Sequence, residues 1–279
     1  MRRSVAQCSS MLGSEVRDLN EVYQMSEISK KLIVTIPARL AATRLPNKPL
    51  ADIHGRPMIV HVWERVVAAV GSADQVIVAA GDTEIVDVMQ SVGGRVVLTD
   101  PDLPSGSDRV FSALLEIEKQ DGVSIEHVIN VQGDLPTLAP ELIEKTAALL
   151  QDGSDMSSLV AEITDSSEIG NPNVVKAIMS WDEAVSSSSK VGRALYFTRA
   201  TAPAGDGPYY HHIGIYGYQR AALERFVTLP PSPLEKREKL EQLRALEAGM
   251  TIRLACVDTV PLGVDTQEDL DKARKILRV

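Results

Sequence analysis

The chain has 279 residues and only two cysteines, Cys8 and Cys256, far apart and without the spacing of a metal site. That scarcity argues against a disulfide framework and points to a reducing, cytoplasmic setting. No apolar run is long enough to span a bilayer, so stable membrane association is not expected. Residues 1–30 carry Arg2 and Arg3 but no continuous apolar stretch, a poor secretory signal. Glu15, Asp18 and Glu21 weigh against a transit peptide, and Met25 lies just ahead of the first apolar strand. Residues 1–30 therefore read as a flexible extension, and residues 31–279 as a single domain. Positive charge is also in deficit: the net charge of −9 argues against a nucleic-acid or anionic-membrane surface. Nucleophile elbow, Walker loop and dinucleotide fingerprint are all missing. The last absence leaves a nicotinamide-dependent dehydrogenase with nothing but α/β alternation in its favour.

What is present is that alternation. Apolar runs at residues 32–36, 75–80, 95–98 and 127–131 read as buried strands. Helices are expected over residues 57–70, 82–92, 107–119 and 142–150 between and after them. Continuous apolar strands separated by helices predict a mostly parallel, Rossmann-like sheet covered on both faces. The rhythm then changes. Strand candidates at 158–163, 174–180, 194–198 and 212–218 lack long helices between them, so about residues 170–235 read as a smaller antiparallel extension, for sugar binding or dimerisation. Ser186 to Ser189 reads as a loop tip. A helix over 235–248, with Leu240, Leu243 and Leu246 along one side, precedes a strand at 251–257 and a closing helix at 269–277.

The segment Ile36 to Leu50 follows the first strand and contains Pro37, Pro46 and Pro49, so it reads as a stiff loop. It carries Arg39, Arg44 and Lys48 at the carboxyl end of a strand, where open α/β sheets bind ligands. Forked guanidinium donors and a lysine point charge suit a polyphosphate, although a solvated basic loop fits the same residues. Asp134 lies just past the fourth strand, after Gly133, which lets the backbone turn closely there. A carboxylate so placed can hold Mg²⁺ against substrate phosphates, or be a plain turn aspartate. Asp265, before the last helix, can join it or cap that helix. Ser105 to Arg109 can orient a base or ribose, or simply start a helix with Ser107 as its N-cap. His54, His61 and His127 look structural. His211 and His212 are adjacent on a strand and point to opposite faces.

These segments resemble the 3-deoxy-manno-octulosonate cytidylyltransferase family of sugar nucleotidyltransferases. The matches are IPARLAATRLPNKPL (36–50), GRPMIV (55–60), SGSDR (105–109), NVQGDLP (130–136), ALYFTRAT (194–201), HIGIYGY (212–218), SPLE (232–235), EQLR (241–244) and GVDTQEDL (263–270), in order along the chain. The resemblance implies that CTP and 3-deoxy-D-manno-octulosonate (Kdo) give CMP-Kdo and pyrophosphate for lipopolysaccharide assembly. It implies Mg²⁺ as cofactor and a homodimer. Arg39, Arg44, Lys48, Asp134 and Asp265 would be catalytic, the two aspartates holding the metal. Ala38, Arg39, Arg44, Lys48, Ala80, Asp82, Ser105, Gly106 and Arg109 would bind the nucleotide. Gln132, Arg199, His212, Tyr216, Glu241 and Gln242 would bind the acidic sugar. Without the resemblance, Glu241 and Gln242 read as a solvated helix face and Tyr216 as a half-buried strand aromatic. Three positions depart from the family pattern: Leu135 for a usual Glu, Asn47 for a usual Gly, and Ala202-Pro203-Ala204 for an Ile-Pro-Trp type sequence. The alternatives are an enzyme activating another acidic sugar, or a silent nucleotide-binding protein on the same fold.

Overall fold

The computed structural model describes residues 31–41, 44–182 and 190–278. The expected N-terminal extension and the Ser186 to Ser189 loop tip lie outside the described residues. In chain order the strands and helices are β1 (Leu32–Ala38), β2 (Asp52–Ile53), β3 (Arg56–Pro57), α1 (Met58–Val70), β4 (Val76–Ala80), α2 (Thr83–Ser91), β5 (Arg95–Leu98), α3 (Gly106–Asp121), β6 (His127–Asn130) and α4 (Glu141–Ala148). There follow β7 (Met156–Glu162), α5 (Ser166–Ile169), β8 (Lys176–Trp181), β9 (Val191–Thr198), β10 (Tyr210–Gln219), α6 (Arg220–Thr228), α7 (Pro233–Glu238), α8 (Gln242–Glu247), β11 (Ile252–Val257) and α9 (Gln267–Ile276).

Nine strands form one sheet in the order β5-β4-β1-β6-β10-β7-β11-β9-β8. The first four are parallel, as the alternation predicts. The whole sheet, however, is mixed and not mostly parallel. β10 runs antiparallel to both β6 and β7, while β11 lies parallel to β7 and antiparallel to β9. The predicted antiparallel extension is therefore built into the main sheet. The reason lies in the connections. Parallel neighbours need a helical crossover, and the described residues from β8 to β10 include no long helix to supply one.

Helices do cover both faces. Val34, Ile36, Val78 and Ile129 face one core with residues of α1 and α4. Ile33, Ile77 and Val128 face the other, with residues of α3 and α6. Burial on both sides explains the unbroken apolar strands. A small third cluster, with Ile53, Met58, Val264, Leu270 and Ala273, seats α9 against the β2–β3 hairpin.

Two helix predictions change in ways that matter for the site. The helix expected from Ser107 begins instead after Ser105, whose hydroxyl accepts a bond from Asp108 N, so Ser105 is the N-cap. The single helix expected over residues 235–248 is two short helices, α7 and α8, parted at Lys239 with φ 56°. A left-handed residue cannot continue a helix. The break is braced from outside, because Arg199 donates to the carbonyls of Glu238 and Lys239.

Candidate active site

The basic loop crosses the carboxyl ends of β1 and β6 and bounds a cleft of about 440 Å³. Arg39, Arg44, Lys48, Ser105, Gly106, Arg109, Gln132, Asp134 and Asp265 all line it, with Ala38 at its base. A short 3₁₀ turn, Lys48–Leu50, opens with Asn47 at φ 54° and aims Lys48 inward. Asparagine tolerates this left-handed conformation better than most residues with a side chain. Asp82 does not line the cleft. Its carboxylate accepts from Leu40 N at 2.8 Å and ties down the basic loop. Ala80 is fully buried and its carbonyl is taken by Thr99. Gly133 does not need a positive φ. It is small because a Cβ there would meet the Pro37 carbonyl at 3.0 Å.

The two aspartates converge. Val264 N donates to the Asp134 carbonyl at 2.9 Å, joining their loops directly. Thr266, not Asp265, caps α9 through a capping box with Asp269, which leaves the Asp265 side chain for the cleft. Lys48 Nζ lies 2.7 Å from Asp134 Oδ2 and 3.0 Å from Asp265 Oδ1. Arg44 Nη2 is 3.0 Å from Asp265 Oδ2. Burial alone would lower the Lys48 pKa, but the two aspartates outweigh it and raise it. The oxygen-only donor pair, already bridged by a cation, fits a hard divalent ion such as Mg²⁺. Leu135, the departure beside it, turns into the apolar core, 8% exposed, and contributes nothing to the cleft.

Arg39 is exposed and forms no ion pair among the described residues. Arg109 is buried and spends its guanidinium on Thr99 Oγ1 and the carbonyls of Asp100 and Pro101. Burial, then the charge of Arg39, lowers the Arg109 pKa. Two neighbouring guanidiniums at the edge of the cleft suit an anion.

A second polar region lies behind Gln132 on the α3 face of the sheet. Asn130 pairs with Thr35 on β1 and with Tyr216 on β10. Thr35 Oγ1, Asn130 Oδ1, Glu241 Oε1 and Gln242 Nε2 are buried without hydrogen-bond partners among the described residues. Unpaired buried polar atoms are costly, and Glu241 Oε1 is partly served by Arg244 Nη2 at 3.8 Å. Ser107 Oγ donates to Glu241 Oε2 at 3.0 Å. Burial raises the Glu241 carboxyl pKa against the opposing pull of Ser105, Ser107 and Arg244. Glu241 and Gln242 are thus not a solvated helix face, and Gln242 is only 4% exposed. Tyr216 sits in an aromatic row with His212 and Tyr218, and burial raises its hydroxyl pKa strongly. His212 shares a 3.0 Å bond with Ser158 Oγ, and burial pushes its pKa down to about 3, so the ring is neutral. Arg199 bonds the carbonyls of Pro172, Glu238 and Lys239, which holds the α7–α8 corner.

Ser107 falls within the Ser105 to Arg109 segment that the sequence offers, whereas Thr35 and Asn130 are not singled out there; for Asn130 the available signal is a polar residue at even spacing from Gln132 on an apolar strand. His54 and His61 bond the carbonyls of Arg274 and Ile53, as structural histidines do.

Comparison with known proteins identifies the family. The family model described as cytidylyltransferase matches residues 33–252. A 3-deoxy-manno-octulosonate cytidylyltransferase from Parvibaculum lavamentivorans is 60% identical, covering 90% of this chain and 94% of its own. One from Paramagnetospirillum magneticum is 55% identical over 88% of this chain and 97% of its own. A solved structure of CMP:2-keto-3-deoxy-manno-octonic acid synthetase complexed with CTP superposes with TM-score 0.78, at 35% identity over 88% of this chain and 98% of that one. A cytidylyltransferase structure from Leptospira borgpetersenii, 13% identical with TM-score 0.54, shares the fold. The fold and cleft are those of a nucleotidyltransferase. The chain belongs to the 3-deoxy-manno-octulosonate cytidylyltransferase family.

Proposed function

We propose that the protein transfers a cytidylyl group from CTP to Kdo, releasing pyrophosphate and forming CMP-Kdo for lipopolysaccharide assembly. The observation that carries this reading is the convergence of Asp134, Asp265, Lys48, Arg44 and Arg39 on one cleft in a chain 60% identical to a named cytidylyltransferase. The anomeric hydroxyl oxygen of the sugar forms a bond to the α-phosphorus in line as the bond to the departing pyrophosphate breaks. Such a reaction needs placement and charge neutralisation more than covalent catalysis.

Arg39, Arg44 and Lys48 hold the triphosphate and stabilise pyrophosphate as it leaves. Ser105 and Gly106 present the amino end of the 16-residue helix α3, whose free N–H groups favour phosphate. Asp134 and Asp265 would hold Mg²⁺, which would supply neutralisation of phosphate charge. Gln132, Tyr216, Glu241 and Gln242 receive the sugar hydroxyls, joined by Asn130 and Thr35. Arg199 and His212 frame that chamber, the first by fixing the α7–α8 corner. The working form is a homodimer of the 31–279 domain in the cytoplasm. No described helix is long and apolar enough to cross a membrane.

The test is pyrophosphate release from CTP and Mg²⁺ with and without Kdo. Kdo-dependent release, weak with UTP or ATP, is expected. Release with a different acidic sugar but none with Kdo would overturn the substrate, and no release with any acidic sugar would overturn the activity.

A further inference from the structure

Lys48 is engaged by two carboxylates as well as facing the cleft. Its ammonium sits between the two carboxylates, 2.7 Å from Asp134 and 3.0 Å from Asp265. That is the place a cation bridging them would take. Arg44 adds a second positive charge at 3.0 Å from Asp265. Two carboxylates and two cations cancel, so the pair has no net charge with which to draw a divalent ion. Repulsion by an ammonium in contact with both carboxylates opposes such an ion further. The arrangement is firm on one side and loose on the other. The Lys48 side chain is mostly buried on a turn flanked by Pro46 and Pro49, whereas its four-carbon stem lets Nζ swing without moving the turn. Arg44 is 65% exposed and equally free to turn.

We propose that Lys48 is an internal counter-ion that closes the Asp134–Asp265 pair to divalent cations until a triphosphate draws it away. The proposal rests on the metal-binding reading above and adds an order to it. The nucleotide-free protein binds divalent cations weakly. The triphosphate takes Lys48 and Arg44 onto its own oxygens and leaves both carboxylates open, so nucleotide and cation each strengthen the other's binding. Lys48 thus has two partners in turn, aspartate and phosphate, and its transfer links the two events.

The probe is Mn²⁺ alone, titrated into nucleotide-free protein and followed by the loss of its free-ion electron paramagnetic resonance signal. Wild type, Lys48→Met, Asp134→Asn and the double variant are compared, with circular dichroism and thermal unfolding to verify the fold. Lys48→Met is expected to bind Mn²⁺ at least tenfold more tightly than wild type, and the double variant to lose that gain. Lys48→Gln, which keeps a polar end without the charge, repeats the test should the methionine variant fail to fold. Unchanged or weaker Mn²⁺ binding in the Lys48 variants, with Asp134→Asn still lowering it, would overturn the closing role while keeping the metal site. Mn²⁺ binding indifferent to Asp134→Asn in every background would overturn the metal reading itself, and this proposal with it.

Discussion

The cleft at Asp134 and the chamber at Glu241 meet at the end of β6, yet they are built on opposite electrostatic plans. The cleft is open and ionic: its carboxylates are already matched by Lys48 and Arg44. The region around Glu241 is more buried: its histidine is held uncharged, its carboxyl is raised by burial, and the charges beside it, Arg244 and Glu235, pair with each other. A flexible, highly charged triphosphate is well served by exposed cations that can move with it. A small hydroxylated sugar must be told from its isomers, and buried groups left unpaired by a wrong isomer penalise it more heavily.

If the cleft supplies the chemistry, Asp134→Asn should cost the most, lowering turnover on the order of a hundredfold to a thousandfold. Steady-state rates on protein with unaltered circular dichroism would measure it; a mild loss would mean the chamber carries more of the catalysis than its plan suggests. Next comes the brace behind the chamber. Glu235 and Arg244 form a mostly buried two-point ion pair, with contacts of 2.6 and 2.8 Å. Glu235→Ala should destabilise the fold by about 3 kcal/mol, because the mostly buried Arg244 loses its two-point partner, as read by urea unfolding. Burial pushes the Glu235 carboxyl up, but Arg244 wins and holds it below the ordinary 4.5. Its stabilisation is therefore present above that value and lost as pH falls through the lowered one.

A smaller effect separates the two regions directly. Glu241→Gln should raise the KM for the sugar about tenfold, near the effect of one hydrogen bond to a charged group, while leaving the KM for CTP unchanged. Equal shifts in both would erase the distinction between cleft and chamber. The smallest effect concerns the free protein. Because the Glu241 carboxyl is raised above 4.5, its burial is harmless below that pH and costs stability as pH rises through the raised value. Glu241→Gln should therefore melt higher than wild type at pH 7 and no higher below pH 4.5. A variant that is more stable and less active would identify the chamber as strained for function.

The same division decides what could be read from the sequence. The cleft comes from short contiguous segments: cations on a proline-stiffened loop and aspartates at strand ends. Their local chemistry announces them, and the structure brings Arg39, Arg44, Lys48, Asp134 and Asp265 together. The parallel half of the sheet is legible for a similar reason, since strands buried on both faces leave unbroken apolar runs. The chamber is assembled across long separations. Ser107 looks like a helix cap until Glu241, 134 residues away, claims its hydroxyl. The leucine spacing of residues 235–248 suits one helix, and nothing local marks Lys239 as left-handed. The forces that break the helix there come from Arg199, 40 residues upstream. The antiparallel setting of β10 is equally invisible, because the mates of a strand are not written in its own pattern.

That setting of β10 bears on how the chain is made. β10 closes the sheet between β6 and β7, and both precede it in the sequence. During synthesis the ribosome releases β6 and β7 well before residues 210–219 emerge. Until then each presents an unpaired edge along the side that β10 will occupy, and such edges recruit other chains. Completion of the sheet is thus a late, non-local event. A chain ending before Tyr210 should therefore aggregate, as read by light scattering of the truncated protein.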